Sequence, residues 1–413
     1  MRKEESRAWA IVAVFFVSWF LIWGAGPNTG SAFYPPMLKY FGWSRAKLSA
    51  GFSVGAFSAG LVGPLVGWLL DRIDARKVMV TGVALTFLGY VGIAESHSFA
   101  PFLLSNLTIG VGLCACTGIP CSLVIANWFK DRRGLAMGIS LAGASIGGAV
   151  MIVVMNHIIT DAGWRFAFFV IAAPMVVIVI PLLVAFVRTR PAGETTILEG
   201  AQQASVALPG LEVRQAFTTR SLYLVTLIQF VGASIWAGIG QHFIAYLIGI
   251  GYSSAFSAHM LSIVFLVTTA GSLLSGPLAD KFTARHALGV TWIVGAIAML
   301  ALVDAKHLGP LAVHVVLSGF VIGATGVLTP LLILDSIGIK NYGYLFGLSA
   351  VFGTLGFAAG PILTGLIFDV THSYSLALWI FVIGSLVCAI AVYSCRPYER
   401  EQERMAAATT AAA

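Results

Sequence analysis

The sequence predicts an all-α membrane protein of twelve spanning helices, arranged as two six-helix bundles with both termini cytoplasmic. Three observations carry this expectation. The 413-residue chain is 58% hydrophobic and only 10% charged, with a mean hydropathy of +0.92, whereas soluble domains carry about 25% charged residues. Its apolar runs are long enough, at about 20 residues, to cross the roughly 30 Å of a bilayer core. A short motif also recurs at half the chain length. It reads Gly67-Trp-Leu-Leu-Asp71-Arg-Ile-Asp-Ala-Arg76-Lys, then Gly276-Pro-Leu-Ala-Asp280-Lys-Phe-Thr-Ala-Arg285-His, with the copies 209 residues apart. A half-length repeat in an apolar chain points to a transporter built from two similar bundles.

The spans are expected near 9–38, 46–70, 77–94, 99–128, 134–159 and 164–187 in the first half. The second half gives 219–249, 254–279, 286–304, 309–335, 343–369 and 373–395. Helices are required because a strand with an open edge leaves backbone groups unpaired in lipid. Several runs exceed 25 residues, so tilt or projection beyond the bilayer follows. The first run ends in Gly, Pro and Asn with no small-residue cleavage site, and reads as a span rather than a removed leader.

The longest connection, 189–218, is polar and contains Pro191, Gly193, Gln202, Gln203 and Pro209. It reads as a cytoplasmic linker between bundles at 1–188 and 219–396, with a short surface helix near 211–217. Residues 397–413 read as a cytoplasmic tail, charged and then Ala/Thr-rich. With the N-terminus placed inside, 19 Lys and Arg fall on the cytoplasmic side and 5 on the outer side. That asymmetry is the positive-inside signal.

The net charge of +7 is spread between apolar runs, as orientation signals are, and indicates no nucleic-acid partner. Cys114, Cys116, Cys121, Cys388 and Cys395 have neither zinc-site nor disulfide-framework spacing and read as small packing residues. There is no phosphate-cradling Gly-rich loop followed by Lys-Ser/Thr, and no Ser/His/Asp set. No enzyme activity, metal or cofactor is therefore expected. The energy source would be a solute or proton gradient, the partners a small solute and membrane lipid, and the protein a monomer in the inner or plasma membrane.

The paired motifs resemble the loops after the second and eighth helices of the major facilitator superfamily, and the resemblance covers nearly the whole chain. Gly134 and Gly138 match Gly343 and Gly347 at the same offset. Asp74 stands where that family usually has Gly. The resemblance implies that Asp71, held by Arg76, faces the positive N-terminal end of the eleventh helix near Gly343, and that Asp280 and Arg285 do the same toward Gly134. Both contacts would lock the cytoplasmic side. The glycines at 134, 138, 143, 147 and 148, and at 343, 347, 353, 356 and 360, permit close backbone approach.

A narrower resemblance is to the monocarboxylate porter and oxalate:formate antiporter branch. It rests on Tyr34-Pro35-Pro36 through Gly42-Trp43-Ser44-Arg45, on Asn127-Trp128-Phe129 through Gly134, and on Gly163-Trp164-Arg165. It implies small organic acids as substrates, carried by symport or antiport. The cavity cations of that branch are missing: Ser272 and Asn28 occupy two of the usual positions, and no Lys or Arg lies near the middle of any span. An intramembrane charge costs at least about 2.5 kcal/mol, so it persists where function requires it. Its absence leaves four alternatives: a neutral or zwitterionic solute, a carboxylate held by hydrogen bonds and helix ends, charge from a protonated His, or a proton carried with the anion. A transporter or efflux pump for neutral or amphipathic molecules is the rival reading.

The candidate substrate contacts are Asn28, Thr29 and Tyr34 in the first span, Gln241, His242 and Tyr246 in the seventh, and Thr268 and Ser272 in the eighth. His242 is also the candidate for proton coupling, since imidazole titrates near neutral pH. The candidate gating residues are Asp71, Arg76, Asp280 and Arg285. Trp236 is a possible cavity wall, and His314 lies near the outer end of the tenth span.

Overall fold

A computed structural model describes residues 2–70, 72–129, 132–189, 210–338, 342–400 and 403. Twelve helices in it are long and apolar enough to cross a membrane. They are α1 (Glu5–Phe41), α2 (Arg45–Leu70), α3 (Ala75–Ala94), α4 (Phe99–Ile125), α5 (Leu135–Ala162) and α6 (Trp164–Phe186). The second set is α7 (Arg220–Gly249), α8 (Ser254–Ala279), α9 (Ala284–Val303), α10 (Leu308–Ile337), α11 (Leu345–Thr371) and α12 (Ser375–Ser394). Many large side chains that face outward from these helices are apolar, among them Leu61, Val177, Leu273 and Val370, as a lipid solvent requires.

Local chemistry explains where the helices start, stop and break. In α1 a π-helical segment, Phe20–Gly24, is followed by a 3-10 turn, Pro27–Thr29. Pro27 has no N–H to continue the ladder. The Thr29 amide bonds Gly26 O in place of Ala25 O, and the Thr29 hydroxyl lies 2.5 Å from that Ala25 O and 3.0 Å from Gly26 O. The helix then resumes at Gly30 and ends on Gly42, whose φ of 64° is the left-handed cap that favours glycine. In α6 a second π-helical segment, Met175–Val179, follows Pro174. Asp74, the departure from the family pattern, is the N-cap of α3 and accepts the Arg76 amide at 2.8 Å. Thr283, 209 residues later, caps α9 by accepting the His286 amide, three residues on, at 3.5 Å.

The chain packs into two compact units, Met1–Ala204 with Gly240–Leu266, and Ser205–Ile239 with Val267–Ala413. In the first, α3 packs on α4 and α6, α2 on α4, and α5 on α1. Gly147 of α5 sits on the backbone of Phe20 and Gly24, and a Cβ added at Gly24 would stand 2.5 Å from the Gly147 Cα. In the second unit α9 packs on α10 and α12, and Gly356 of α11 sits on the backbone of Phe230 in α7. The same glycine-mediated contact thus recurs at offsets of 209 and 210 residues. The short surface helix expected near 211–217 is a single turn, Val213–Ala216, closed by a capping box of Glu212 and Gln215. Most of the expected linker and the end of the tail lie outside the described residues.

The two motif arginines have matching roles. Arg76 donates its Nε hydrogen to the carbonyl of Val187, at the end of α6, over 2.6 Å. Arg285 donates from Nη1 to the carbonyl of Cys395, at the end of α12, over 3.2 Å. Helix C-termini leave carbonyls without intrahelical partners, and a cationic donor satisfies them well.

Candidate functional site

The first unit brings two of the expected contact residues to one place and adds one that was not expected. Tyr34 of α1 and His242 of α7 are both buried, with ring centroids 4.7 Å apart in an edge-on arrangement. Ser49 of α2, fully buried, lies between them. Its Oγ is 2.7 Å from the Tyr34 Oη and 3.2 Å from the His242 Nε2, while Nε2 and Oη are 3.5 Å apart. Tyr34 donates its single hydroxyl hydrogen to the Arg45 carbonyl at 2.7 Å. Ser49 must then donate to Tyr34, and its remaining capacity toward His242 is as an acceptor. A proton on Nε2 of His242 is the tautomer that completes this pattern. The chain runs from His242 to Ser49 to Tyr34 to the Arg45 carbonyl.

Further bonds attach residues 240–266 to the same unit. The Ile244 amide donates to Ser31 Oγ at 3.1 Å, Ser254 Oγ donates to Asn156 Oδ1 at 2.6 Å, and Ser262 Oγ donates to the Ala149 carbonyl at 2.6 Å. Gln241 lies against Gly30: a Cβ added there would stand 3.7 Å from the amide oxygen and 3.9 Å from the nitrogen. The Gln241 Nε2 is buried without a hydrogen-bond partner. Ser53 Oγ and Trp23 Nε1 are in the same condition. Tyr246 follows His242 by one turn and is half-buried.

Other expected contacts have internal partners. Asn28 donates from Nδ2 to the Ala144 carbonyl of α5 at 2.9 Å, which fastens the broken part of α1 to α5. Thr29 serves the same break. In the second unit, Ser272 Oγ donates to the carbonyls of Thr268 and Gly323 at 3.1 and 3.2 Å. Thr268 is buried on α8. Trp236 stacks on Trp292 with centroids 6.4 Å apart, and neither indole N–H has a partner. His314 is buried, with Nδ1 2.8 Å from the Ala298 carbonyl. Asp71 and the side chain of Asp280 lie outside the described residues. No group of three or more His, Cys, Asp or Glu is placed to hold a metal among the described residues.

Sequence reasoning missed Ser49 and Ser53. Both hydroxyls lie in an otherwise apolar stretch four residues apart, on one face of α2. That spacing was the available signal, but small hydroxyl side chains usually bond their own helix and so attract no notice.

Comparison with known proteins completes the picture. The chain is 24% identical over 380 residues to the MFS transporter asaE of Aspergillus flavus, covering 88% of this chain and 82% of that one. It is 25% identical over 395 residues to monocarboxylate transporter 13 of Rattus norvegicus, covering 92% and 86%. Its fold is similar to the crystal structure of a bacterial homolog of the human lysosomal transporter Spinster in an inward-facing, unoccupied conformation. That similarity has a TM-score of 0.69 at 15% identity and covers 94% of both chains. The sequence model of the Major Facilitator Superfamily matches residues 8–267 and 250–412. With twelve apolar helices and a family match along nearly its whole length, the chain is a multi-pass membrane protein and belongs to the Major Facilitator Superfamily of transporters.

Proposed function

We propose that this transporter carries a small organic acid across the inner or plasma membrane, with a proton or in exchange. The observation that carries the reading is His242, an ionisable side chain buried among hydroxyls in a chain with no Lys or Arg near the middle of any span. His242 is joined to Ser49 and Tyr34 by hydrogen bonds, so a change in its protonation would act directly on that chain. The likeness to a monocarboxylate transporter supports the substrate class. Six-helix halves at 1–188 and 219–396, joined by 189–218, would alternate access by rocking. Both termini are assigned to the cytoplasm by the Lys and Arg asymmetry. On that assignment the cluster of Tyr34, Ser49 and His242 closes the outer side, and the paired Asp71 and Asp280 motifs latch the cytoplasmic side.

Uptake of labelled lactate, pyruvate and oxalate into proteoliposomes, with and without an inward proton gradient, tests this reading. Gradient-stimulated uptake, or counterflow against a preloaded acid, is the expected result. A protein that moves none of the three acids but moves neutral or amphipathic compounds would overturn it. That second reading is favoured by the lack of a mid-span cation.

A further inference from the structure

The Ser53 hydroxyl and the Gln241 amide nitrogen are buried and unmatched, and they flank the 3.2 Å contact between Ser49 and His242. On α1, Gly30 lies one turn inward of Tyr34. On α2, which runs antiparallel to this part of α1, Ser53 lies one turn inward of Ser49. Tyr34 and Ser49 touch at 2.7 Å, and Ser49 and His242 at 3.2 Å. Ser53 follows Ser49 by one turn of α2, and Gln241 precedes His242 on α7 with its amide against Gly30. Ser53 is 5% exposed, and neither its Oγ nor the Gln241 Nε2 has a partner. A buried polar group without a partner costs about 1–3 kcal/mol, and such groups in a native fold call for an explanation. Neighbouring hydroxyls are matched: Ser49 in the chain to His242, Ser58 to the carbonyls of Gly55 and Leu107 at 2.9 and 3.0 Å.

We infer that Ser53 and the Gln241 amide form a donor pair that binds an oxygen of the transported acid's carboxylate. Both groups present hydrogens, the Gln241 nitrogen two and the Ser53 hydroxyl one. Such a pair recognises an acceptor-rich, planar group and disfavours an ammonium, which has only hydrogens to offer. It supplies hydrogen bonds in place of the absent cation. It also sets the carboxylate one residue along α7 and one turn along α2 from the His242 contact, where a charge on the imidazole acts on it directly. This inference rests on the organic-acid reading and assigns its substrate contact.

The test is direct binding of acetate, lactate, pyruvate, oxalate and benzoate to the purified full-length protein in nanodiscs. Wild type is compared with Ser53→Ala, Gln241→Leu and Gln241→Glu, with a thermal melt for each. Loss of one donor is expected to raise the Kd of the bound acid about tenfold. Gln241→Glu is expected to raise it further, because the shape is kept while a donor becomes a negative acceptor. Ser53→Ala removes one buried atom and decides the matter alone if the Gln241 variants fail to fold. A wild type that binds an acid and a Ser53→Ala variant with unchanged Kd would overturn the donor pair and leave the organic-acid reading standing. A wild type that binds none of the five acids would overturn both.

Discussion

Arg76 and Val187 are joined by a 2.6 Å hydrogen bond from the guanidinium Nε to the main-chain carbonyl, and a counterpart from Nη1, 3.2 Å long, joins Arg285 to Cys395. Each ties the first residues of the third helix of a half to the last residues of its sixth. Each carbonyl lies past the end of a span, at Phe186 and Ser394, where the helix supplies no donor. The end of α6 is held further by Asn127 and Trp128, which donate to the carbonyls of Thr189 and Arg188 at 3.0 and 2.8 Å. At the end of α12, Arg220 donates to the Ser394 carbonyl at 2.6 Å.

Arg76→Ala should therefore destabilise the first half. A hydrogen bond from a charged group contributes about 1.5–3 kcal/mol, and its loss exposes or strands the Val187 carbonyl. Arg76→Lys should recover only part, since the ammonium lacks the fixed fork of donors. Arg285→Ala should cost less, because its bond is longer. Thermal unfolding of the detergent-solubilised variants measures the order.

Asp74 caps α3, so Asp74→Ala should cost about 1 kcal/mol, while Asp74→Gly should cost only a few tenths. The second value is small because glycine is itself an acceptable N-cap. Equal destabilisation by Ala and Gly in the same unfolding assay would remove the cap from the account.

Close approach of α1 and α5 depends on Gly24. A methyl group there would meet the Gly147 backbone at 2.5 Å, whereas Gly138 has nothing within 4 Å of its added Cβ. Gly24→Ala should cost about 1–3 kcal/mol by overpacking. Gly138→Ala should be neutral or slightly stabilising, because alanine is the better helix former. Folded yield and melting temperature report both.

His242→Gln keeps a hydrogen-bonding side chain but removes the titration. Histidine alone among ordinary side chains changes charge between about pH 5 and 8. Uptake of the transported acid should lose its stimulation by an inward proton gradient, while exchange at equal pH on both sides persists. A full proton response in the variant would clear His242 of coupling.

Asp71→Asn should weaken the proposed cytoplasmic latch and shift the protein away from its outward-facing state, since a neutral amide interacts less with a positive helix end. Labelling of engineered cysteines on the cytoplasmic side should rise. Unchanged labelling and unchanged transport would count against the latch.

Much of the fold was legible because lipid imposes it. Apolar runs of sufficient length must be helices, and a 209-residue repeat of Gly, Asp, Ala and Arg must reflect repeated packing. The glycine pattern of α5 and α11 was readable in the same way, since Gly147 and Gly356 do meet backbone at matching points. The candidate site was legible only in part. Tyr34, Gln241 and His242 were singled out from polarity within apolar spans; Tyr34 and His242 meet, and Gln241 lies against Gly30. Asn28, Thr29 and Ser272 carried the same signal, yet each has a carbonyl partner within its own unit. Polarity marks where a hydrogen bond is needed and leaves its partner open.

Span number, repeat register and the scarcity of charge were thus properties of the sequence itself, because they follow from chain length and from what a bilayer excludes. Only the tertiary structure decided that Arg76 reaches Val187, that Ser49 links Tyr34 to His242, and that Ser53 and Gln241 are left unmatched. Those relations join residues more than a hundred positions apart or depend on which face of a helix meets a neighbour. Hydrogen bonds act over about 3 Å, and a linear sequence carries no such distances.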